Sequence, residues 1–374
     1  MKIACLFRQR ASASSVEMTR APYSRFAGSL PVPQAARPRL LESVASEVRE
    51  VVACCSCWTP SPYLRQHNPI MARQYRFLLI LLFCLGSGQA QSEVDPLFVE
   101  QVAPGVFVHF GEIGLMNETN QGGTANIGFV IGEDSVAVID SGGSARQGKR
   151  LLAAVRKQTG LPIAYVINTH GHPDHLFGNV AFEEERAVRV GHQNLRGFLA
   201  ARGEFYLRSF SEAMGEALVE ESRILPPDEE VSGERLLDLG GRQLQVLAWQ
   251  RAHSDSDVTV LDRESGTLFA GDLLLVDHIP VIDGSLLGFL AVMEKMAELP
   301  VRQVIPGHGP LVGWPDGLKA QRDYLEILAN DLRTAIAAGT PLASAVENVG
   351  LEEARGWTLH ETYHQRNATT GYVE

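Results

Sequence analysis

Three histidines and an aspartate fall within six consecutive positions of the stretch NTHGHPDHLFGN, residues 168–179, in a chain with 11 histidines among 374 residues. His170 and His172 are two apart where an apolar run ends, so in extended backbone both side chains leave on one face and can grip one metal ion. Asp174 and His175 follow the turn expected at Pro173 and point elsewhere, toward a second ion at the separation two-metal hydrolases use. Three more residues extend the pattern. His253 in WQRAHSDSD, Asp272 in LFAGDLLL and His308 in VIPGHGP each read as the end of a strand, where an open sheet delivers ligands to one edge. Imidazole with carboxylate is a borderline-hard donor set suited to zinc, or to iron or manganese. Each of these three alone reads as a capping or surface residue; together with the first cluster, that reading needs independent placement after three successive strands.

The elements that must carry these residues are legible as hydrophobic periods. VFVHF and NIGFVIGEDSVAVIDSGG read as strands with a Gly-Glu-Asp turn between the last two, and SARQGKRLLAAVRKQTG reads as a helix closed by Gly160. PIAYVINTH is a buried strand running straight into the histidine cluster, followed by a helix near 176–182, the strand AVRVGH and helix over part of 193–221. The second half repeats the order: RQLQVLAWQRAH and DVTVLDRESGTLFAGDLLLV as strands, a helix around 286–299, the strand RQVIPGHG and a long helix from about Pro315 to Ala338. Strands followed by helices in each half predict two sheets packed together and covered by helices outside.

Composition divides the chain. Residues 1–90 hold 11 Lys and Arg against 4 Asp and Glu, leaving 22 against 40 for residues 91–374. An acidic body argues against nucleic acid or an anionic membrane as partner, since both are bound through basic surface. All five cysteines lie at or before Cys84, so the remainder has neither disulfide nor thiolate ligand. The segment from Met71, MARQYRFLLILLFCLGSGQAQSEVDP, has basic Arg73 and Arg76, an apolar core from Phe77 to Leu85 and a small-x-small exit at Gly88-Gln89-Ala90. That is the layout of a secretory signal peptide over 71–90, with a core too short for a lasting membrane anchor. Residues 1–70, rich in Ser, Pro, Arg and Ala, show no sustained helix or strand period and read as a disordered extension or as sequence upstream of the true start at Met71. The expected organisation is therefore 1–70 extension, 71–90 signal peptide and 91–374 catalytic domain, with a bacterial periplasm as destination.

The ordered set His170-x-His172-x-Asp174-His175, His253, Asp272 and His308 resembles the metallo-β-lactamase superfamily of α/β hydrolases, whose fold is an αββα sandwich, over nearly all of residues 100–315. The resemblance implies that His170, His172 and His253 bind a first Zn(2+), that Asp174, His175 and His308 bind a second, and that Asp272 bridges them. Asp at 272, where the best-known β-lactamase subclass carries Cys, is similar instead to glyoxalase-II-like members. GGTANIGFVIGEDSVAVIDSGG, ARGEFYL, GTLFAGDLLLVDHIPVIDGSL and the late YHQRN further resemble the periplasmic zinc metallohydrolases named for the quinoprotein relay system, related to SoxH-type proteins. That resemblance implies a functional association with a dehydrogenase system dependent on pyrroloquinoline quinone (PQQ).

Two zinc ions sharing a water lower its pKa toward neutrality and polarise a scissile bond, and Asp174 stands as the residue to orient that water or take its proton. The predicted activity is hydrolysis of an ester, thioester, lactam or related bond in a small molecule. Asp140, closing VAVID, and Asp257, four residues after His253, are candidates to hold the ligand loops from behind, with turn capping as the alternative. His278 and Asp283 are candidates for the substrate pocket, and Gly122 and Gly123 for a mobile hairpin at its mouth. His109, His192, His360 and His364 read as surface or structural residues. A non-catalytic metal- or substrate-binding periplasmic protein keeps the same ligands; a β-lactamase proper is the other alternative, with Asp272 in place of Cys against it; diiron redox chemistry fits less well, because those relatives carry a Glu near position 172 and a flavin domain.

Overall fold

The computed structural model describes residues 94–374. The expected extension at 1–70 and signal peptide at 71–90 lie outside the described residues. The first half of the described chain runs β1 (Glu100–Ala103), β2 (Val106–His109), β3 (Ile127–Ile131), β4 (Val136–Ile139), α1 (Ala145–Gln158), β5 (Ile163–Ile167), α2 (Pro173–Leu176), β6 (Val188–His192), α3 (Leu195–Met214), α4 (Glu216–Val219) and β7 (Glu229–Val231). Its strands form one sheet in sequence order, antiparallel from β1 to β4 and parallel from β4 to β7. The second half runs β8 (Glu234–Asp238), β9 (Gln243–Ala248), β10 (Val258–Asp262), β11 (Thr267–Leu275), α5 (Leu286–Ala297), β12 (Gln303–His308), β13 (Val312–Gly313), α6 (Lys319–Ala337), α7 (Leu342–Ala345), α8 (Leu351–Ala354) and α9 (His360–Val373). Its sheet has the order β13-β12-β11-β10-β9-β8, parallel only between β11 and β12.

Apolar faces decide how these parts stack. Val106, Val130 and Ile139 of the first sheet share one buried cluster with Leu244, Val260 and Phe269 of the second, so the sheets meet face to face. The outer face of the first sheet, with Phe129, Val138 and Val166, packs on Leu151, Ala154 and Val155 of α1, one helical stripe at i, i+3 and i+4. The outer face of the second, with Leu268 and Ala270, packs on Phe289 of α5 and on Tyr324, Leu325 and Leu328 of α6. Helix, sheet, sheet, helix is the four-layer αββα order expected from the alternation of strands and helices.

The local differences have local causes. The helix α1 starts where Ser144 Oγ accepts from the backbone N–H of Gln147, but extended Thr159, not Gly160, ends it, its N–H donating to Val155 O. The segment 176–182 divides into α2 and a 3₁₀ turn over Phe177–Phe182, and the helix expected within 193–221 is broken at Gly215, which adopts a φ of 89°. His253 is not at a strand end, because β9 stops at Ala248 and a loop carries the imidazole. Asp272 lies within β11, three residues before its end, beside an irregular register at Gly271. Gly122 and Gly123 sit in a turn, not a hairpin: the Gly143 N–H donates to Gly122 O, and a Cβ at Gly122 would lie 2.6 Å from Gly143 O.

Candidate metal centre

All seven residues singled out as ligands arrive at one edge of the sandwich. β5 delivers the loop holding His170, His172, Asp174 and His175; β9, β11 and β12 deliver His253, Asp272 and His308. His170 and His172 lie past the end of β5 rather than in it, and His172 stands at the start of α2, where Pro173 fits the first helical position. The loop is held from behind by Asp140. Its Oδ1 accepts from the Thr169 N–H at 2.8 Å, and its Oδ2 accepts from Thr169 Oγ1 at 2.7 Å and from His175 Nδ1 at 2.8 Å. Asp140 takes a φ of 55°, a strained conformation for a residue with a Cβ, which these bonds stabilise. Asp257 does the same for the second loop, accepting from the Ser254 N–H at 2.8 Å and from Ser254 Oγ at 2.6 Å, next to His253.

The ring nitrogens converge in two sets. His172 Nδ1 lies 3.0 Å from both His170 Nε2 and His253 Nε2. Opposite them, Asp174 Oδ2 lies 3.4 Å from His308 Nε2 and 4.0 Å from His175 Nε2. Asp272 stands between the sets: its Oδ2 is 3.8 Å from His170 Nε2 and 3.5 Å from His253 Nε2, while its Oδ1 is 3.2 Å from His175 Nε2 and 3.5 Å from His308 Nε2. Two glycines permit this placement. A Cβ at Gly307 would lie 1.9 Å from Asp272 Oδ1, and Gly271, at a φ of 53°, lets Thr169 approach so closely that a Cβ would lie 2.6 Å from its Cβ.

Electrostatics identify this as a cation cradle. Burial, with the neighbouring histidines, holds His170 well below the ordinary imidazole range, and burial takes His253 down to about 4, so both rings offer lone pairs rather than protons. Burial alone would raise Asp174 and Asp272, but the imidazoles around them reverse that, lowering both and keeping them anionic. His175 goes the other way: against the effect of burial, Asp140, Asp272 and Asp174 raise it well above its usual value. Three carboxylates around one ring call for positive charge, which a proton or a metal ion supplies. His175 Nε2 and Asp272 Oδ1 are buried without a hydrogen-bond partner. Such groups cost free energy unless something pairs them, and neutral imidazoles with anionic carboxylates are what a divalent metal takes. The residues present fit two such ions, held by His170, His172 and His253 and by Asp174, His175 and His308, with Asp272 reaching both.

A cleft of about 720 Å³ opens over the centre. His278 lines it, its ring 5.0 Å from His308. Asp283 is not on the cleft surface; it sits behind, 3.5 Å from His172 Nε2, and receives Arg202 and Arg366. Sequence reasoning assigned no role to Thr124, whose Oγ1 donates to Asp174 Oδ2 at 3.0 Å, nor to the lining residues Arg202, Tyr206, Tyr363 and Arg366. The last four fall in ARGEFYL and YHQRN, two stretches that already stood out by resemblance. His192 and His364 are buried and bonded to Trp249 O and Val349 O, and His109 and His360 bond Phe98 O and Trp357 O. No helix among the described residues is long and apolar enough to cross a membrane.

Comparison with known proteins places these features. The family model described as the metallo-beta-lactamase superfamily matches residues 120–308. A stretch of 58 residues is 38% identical to the linear primary-alkylsulfatase of Pseudomonas sp. (strain ATCC 19151), covering 16% of this chain and only 11% of that enzyme. Among solved structures, the metallo-beta-lactamase from Pontibacter korlensis is similar in fold, with a TM-score of 0.51 at 19% identity over 62% of this chain and 99% of that one.

Proposed function

The chain belongs to the metallo-beta-lactamase superfamily, a family of hydrolases, and on that premise we propose that it is a dinuclear zinc hydrolase that cleaves an ester, thioester, lactam or sulfate-ester bond. One observation carries this reading: two sets of ligand atoms converge within a few ångströms, with Asp272 turning one oxygen to each. Zinc held there supplies Lewis acidity that brings the pKa of water toward neutrality and polarises the scissile bond.

The chain's own groups do the rest. Asp140 on His175 Nδ1 and the carbonyl of Val281 on His253 Nδ1, the latter at 2.8 Å, fix both rings so that Nε2 faces the centre. Thr124 holds one oxygen of Asp174, a residue open to the cleft, leaving its carboxylate placed to accept a proton from the attacking water and return it to the leaving group. The alkylsulfatase relative is why alkyl sulfate esters belong among the bonds to try.

The same proposal takes 71–90 as a signal peptide, 91–374 as the mature domain, the periplasm as its location, and a PQQ-dependent dehydrogenase system as its functional neighbour; the pattern from Met71 and the resemblance of YHQRN and its companion stretches support it. The test pairs metal analysis with turnover on the full chain. About two zinc ions per chain with turnover of a thioester, ester, lactam or sulfate ester is the expected result. Metal without turnover of any would make it a binding protein, and absence of metal would end the reading. Mass spectrometry of the native protein should find Gln91 at the mature N-terminus; a peptide from YSRFAGSLPVPQAAR would refute the start at Met71.

A further inference from the structure

The walls of the cleft contain more than hydrolysis of a small polar bond requires. α3 presents Ala201, Phe205, Tyr206, Phe210 and Ala213 along one face of the cleft, and Leu115 and Met116 join them. Phe205 and Leu115 are 58% and 47% exposed, large apolar side chains left in water on one cleft. The aromatic row starts at the metal centre: the rings of His172 and Tyr206 are 6.3 Å apart, Tyr206 and Phe205 6.0 Å, and Tyr206 and Phe210 6.4 Å. A track of this kind has an apolar occupant as its natural partner.

The lip beside it is cationic. Arg202 of α3 and Arg366 of α9 both line the cleft, 43% and 49% exposed, whereas Asp283, which they share, is 11% exposed and lies behind them. Arg366 Nη2 bonds Asp283 Oδ1 and Arg202 Nη1 bonds Oδ2, one donor from each guanidinium. Each guanidinium carries five N–H donors, so most remain for something else. Two positive charges against one leave the trio net positive, and the cleft meets the cations rather than the carboxylate. Arg202 is also fixed in place, its guanidinium 4.8 Å above the Phe198 ring.

We propose that the site takes an anionic amphiphile: a molecule whose apolar chain lies along α3 and whose single anionic group is held by Arg202 and Arg366. The proposal rests on the hydrolase reading for the fate of that molecule, but not for its binding. Carboxylate, sulfate and phosphate monoester share the required chemistry, planar or tetrahedral oxygens matched to a guanidinium pair.

Calorimetry on the metal-loaded full chain tests it with butanesulfonate, octanesulfonate, octanoate and 1-octanol, none of which is a substrate for hydrolysis. Octanesulfonate should bind on the order of 10²-fold tighter than butanesulfonate, since four more methylenes find the track. R202Q and R366Q should each weaken octanesulfonate about ten-fold or more and leave 1-octanol unchanged. F205S should shrink the octane-to-butane ratio while keeping the response to the arginine changes. Octanoate against octanesulfonate then ranks the two kinds of anion. Equal affinity for the two sulfonates would overturn the apolar track, and arginine variants that weaken 1-octanol as much as octanesulfonate would overturn the anion site. Binding as described with no turnover of any ester, thioester, lactam or sulfate ester would refute the hydrolase reading and leave this one standing.

Discussion

The sandwich has a buried polar cluster at each end, and the two are built on opposite terms. At the end away from the cleft, Arg242 reaches from the β8–β9 turn and pairs with Asp262 at the close of β10: Nε donates to Oδ1 at 3.0 Å and Nη2 to Oδ2 at 2.6 Å. Two further donors go to Ile131 O of β3 and Pro104 O in the β1–β2 turn, at 3.0 and 2.9 Å, and Ser265 completes Asp262. None of these atoms lacks a partner among the described residues. At the cleft end, His175 Nε2 and Asp272 Oδ1 lie buried without one. A polar group in the interior must be paired, so a cluster satisfied by its own chain is structural, and a cluster that is not implies something from outside.

That contrast can be broken from either side. The largest effect should come from the cleft end: H170A or D174A abolishes turnover while circular dichroism stays that of the folded chain, and full turnover in either variant would remove the metal mechanism. R242M comes next and should do the reverse. It strands a buried carboxylate and should cost about 3–5 kcal/mol in denaturant unfolding, with kcat of the surviving fold unchanged. Replacing both partners, R242M with D262L, should cost much less, because no uncompensated charge remains. If the single and double variants are equally unstable, Arg242 acts through packing and the contrast weakens.

Smaller effects sharpen it. D140N keeps the shape of the carboxyl but loses its charge and one acceptor, so zinc affinity read by competition with a chelator should fall about 10–100-fold. An acid titration addresses the far end. Burial would raise Asp262, but the hydrogen bonds from Arg242 and Ser265 and the guanidinium charge bring it below its ordinary value. Stability from that group is therefore present above the unfolded carboxylate pKa of about 3.9 and is lost as pH falls through the lower folded value. D262N should flatten that part of the melting-temperature profile below about pH 4 and leave the profile above it parallel to wild type.

The ligands were legible because chemistry of this kind needs rare residues at dense spacing: two His, an Asp and a His in six positions carry their meaning without a structure. The strands were legible from apolar runs such as NIGFVIGEDSVAVID, whose turn falls where Gly132, Glu133 and Asp134 stand. Arg242 was not, because in GGRQLQ it looks like any charge at a turn, and only the packed sheets reveal that it is buried. The cleft walls were illegible for a related reason. Arg202, Phe205 and Tyr206 belong to one helix and Tyr363 and Arg366 to another, and no period in the sequence says which helix faces meet across 160 residues of chain. Strand ends are likewise set by pairing partners, which is why His253 lies in a loop and Asp272 inside a strand.

The candidate ligands also come from both sides of the sandwich in each set. His170 and His172 follow the first sheet and meet His253 from the second; Asp174 and His175 follow the first and meet His308 from the second. Neither sheet alone owns a complete grip on a cation. During folding, then, capture of an ion there would wait until the two halves have docked: a chain arrested with one sheet formed holds at most two residues of either set, and loading would report that assembly is finished.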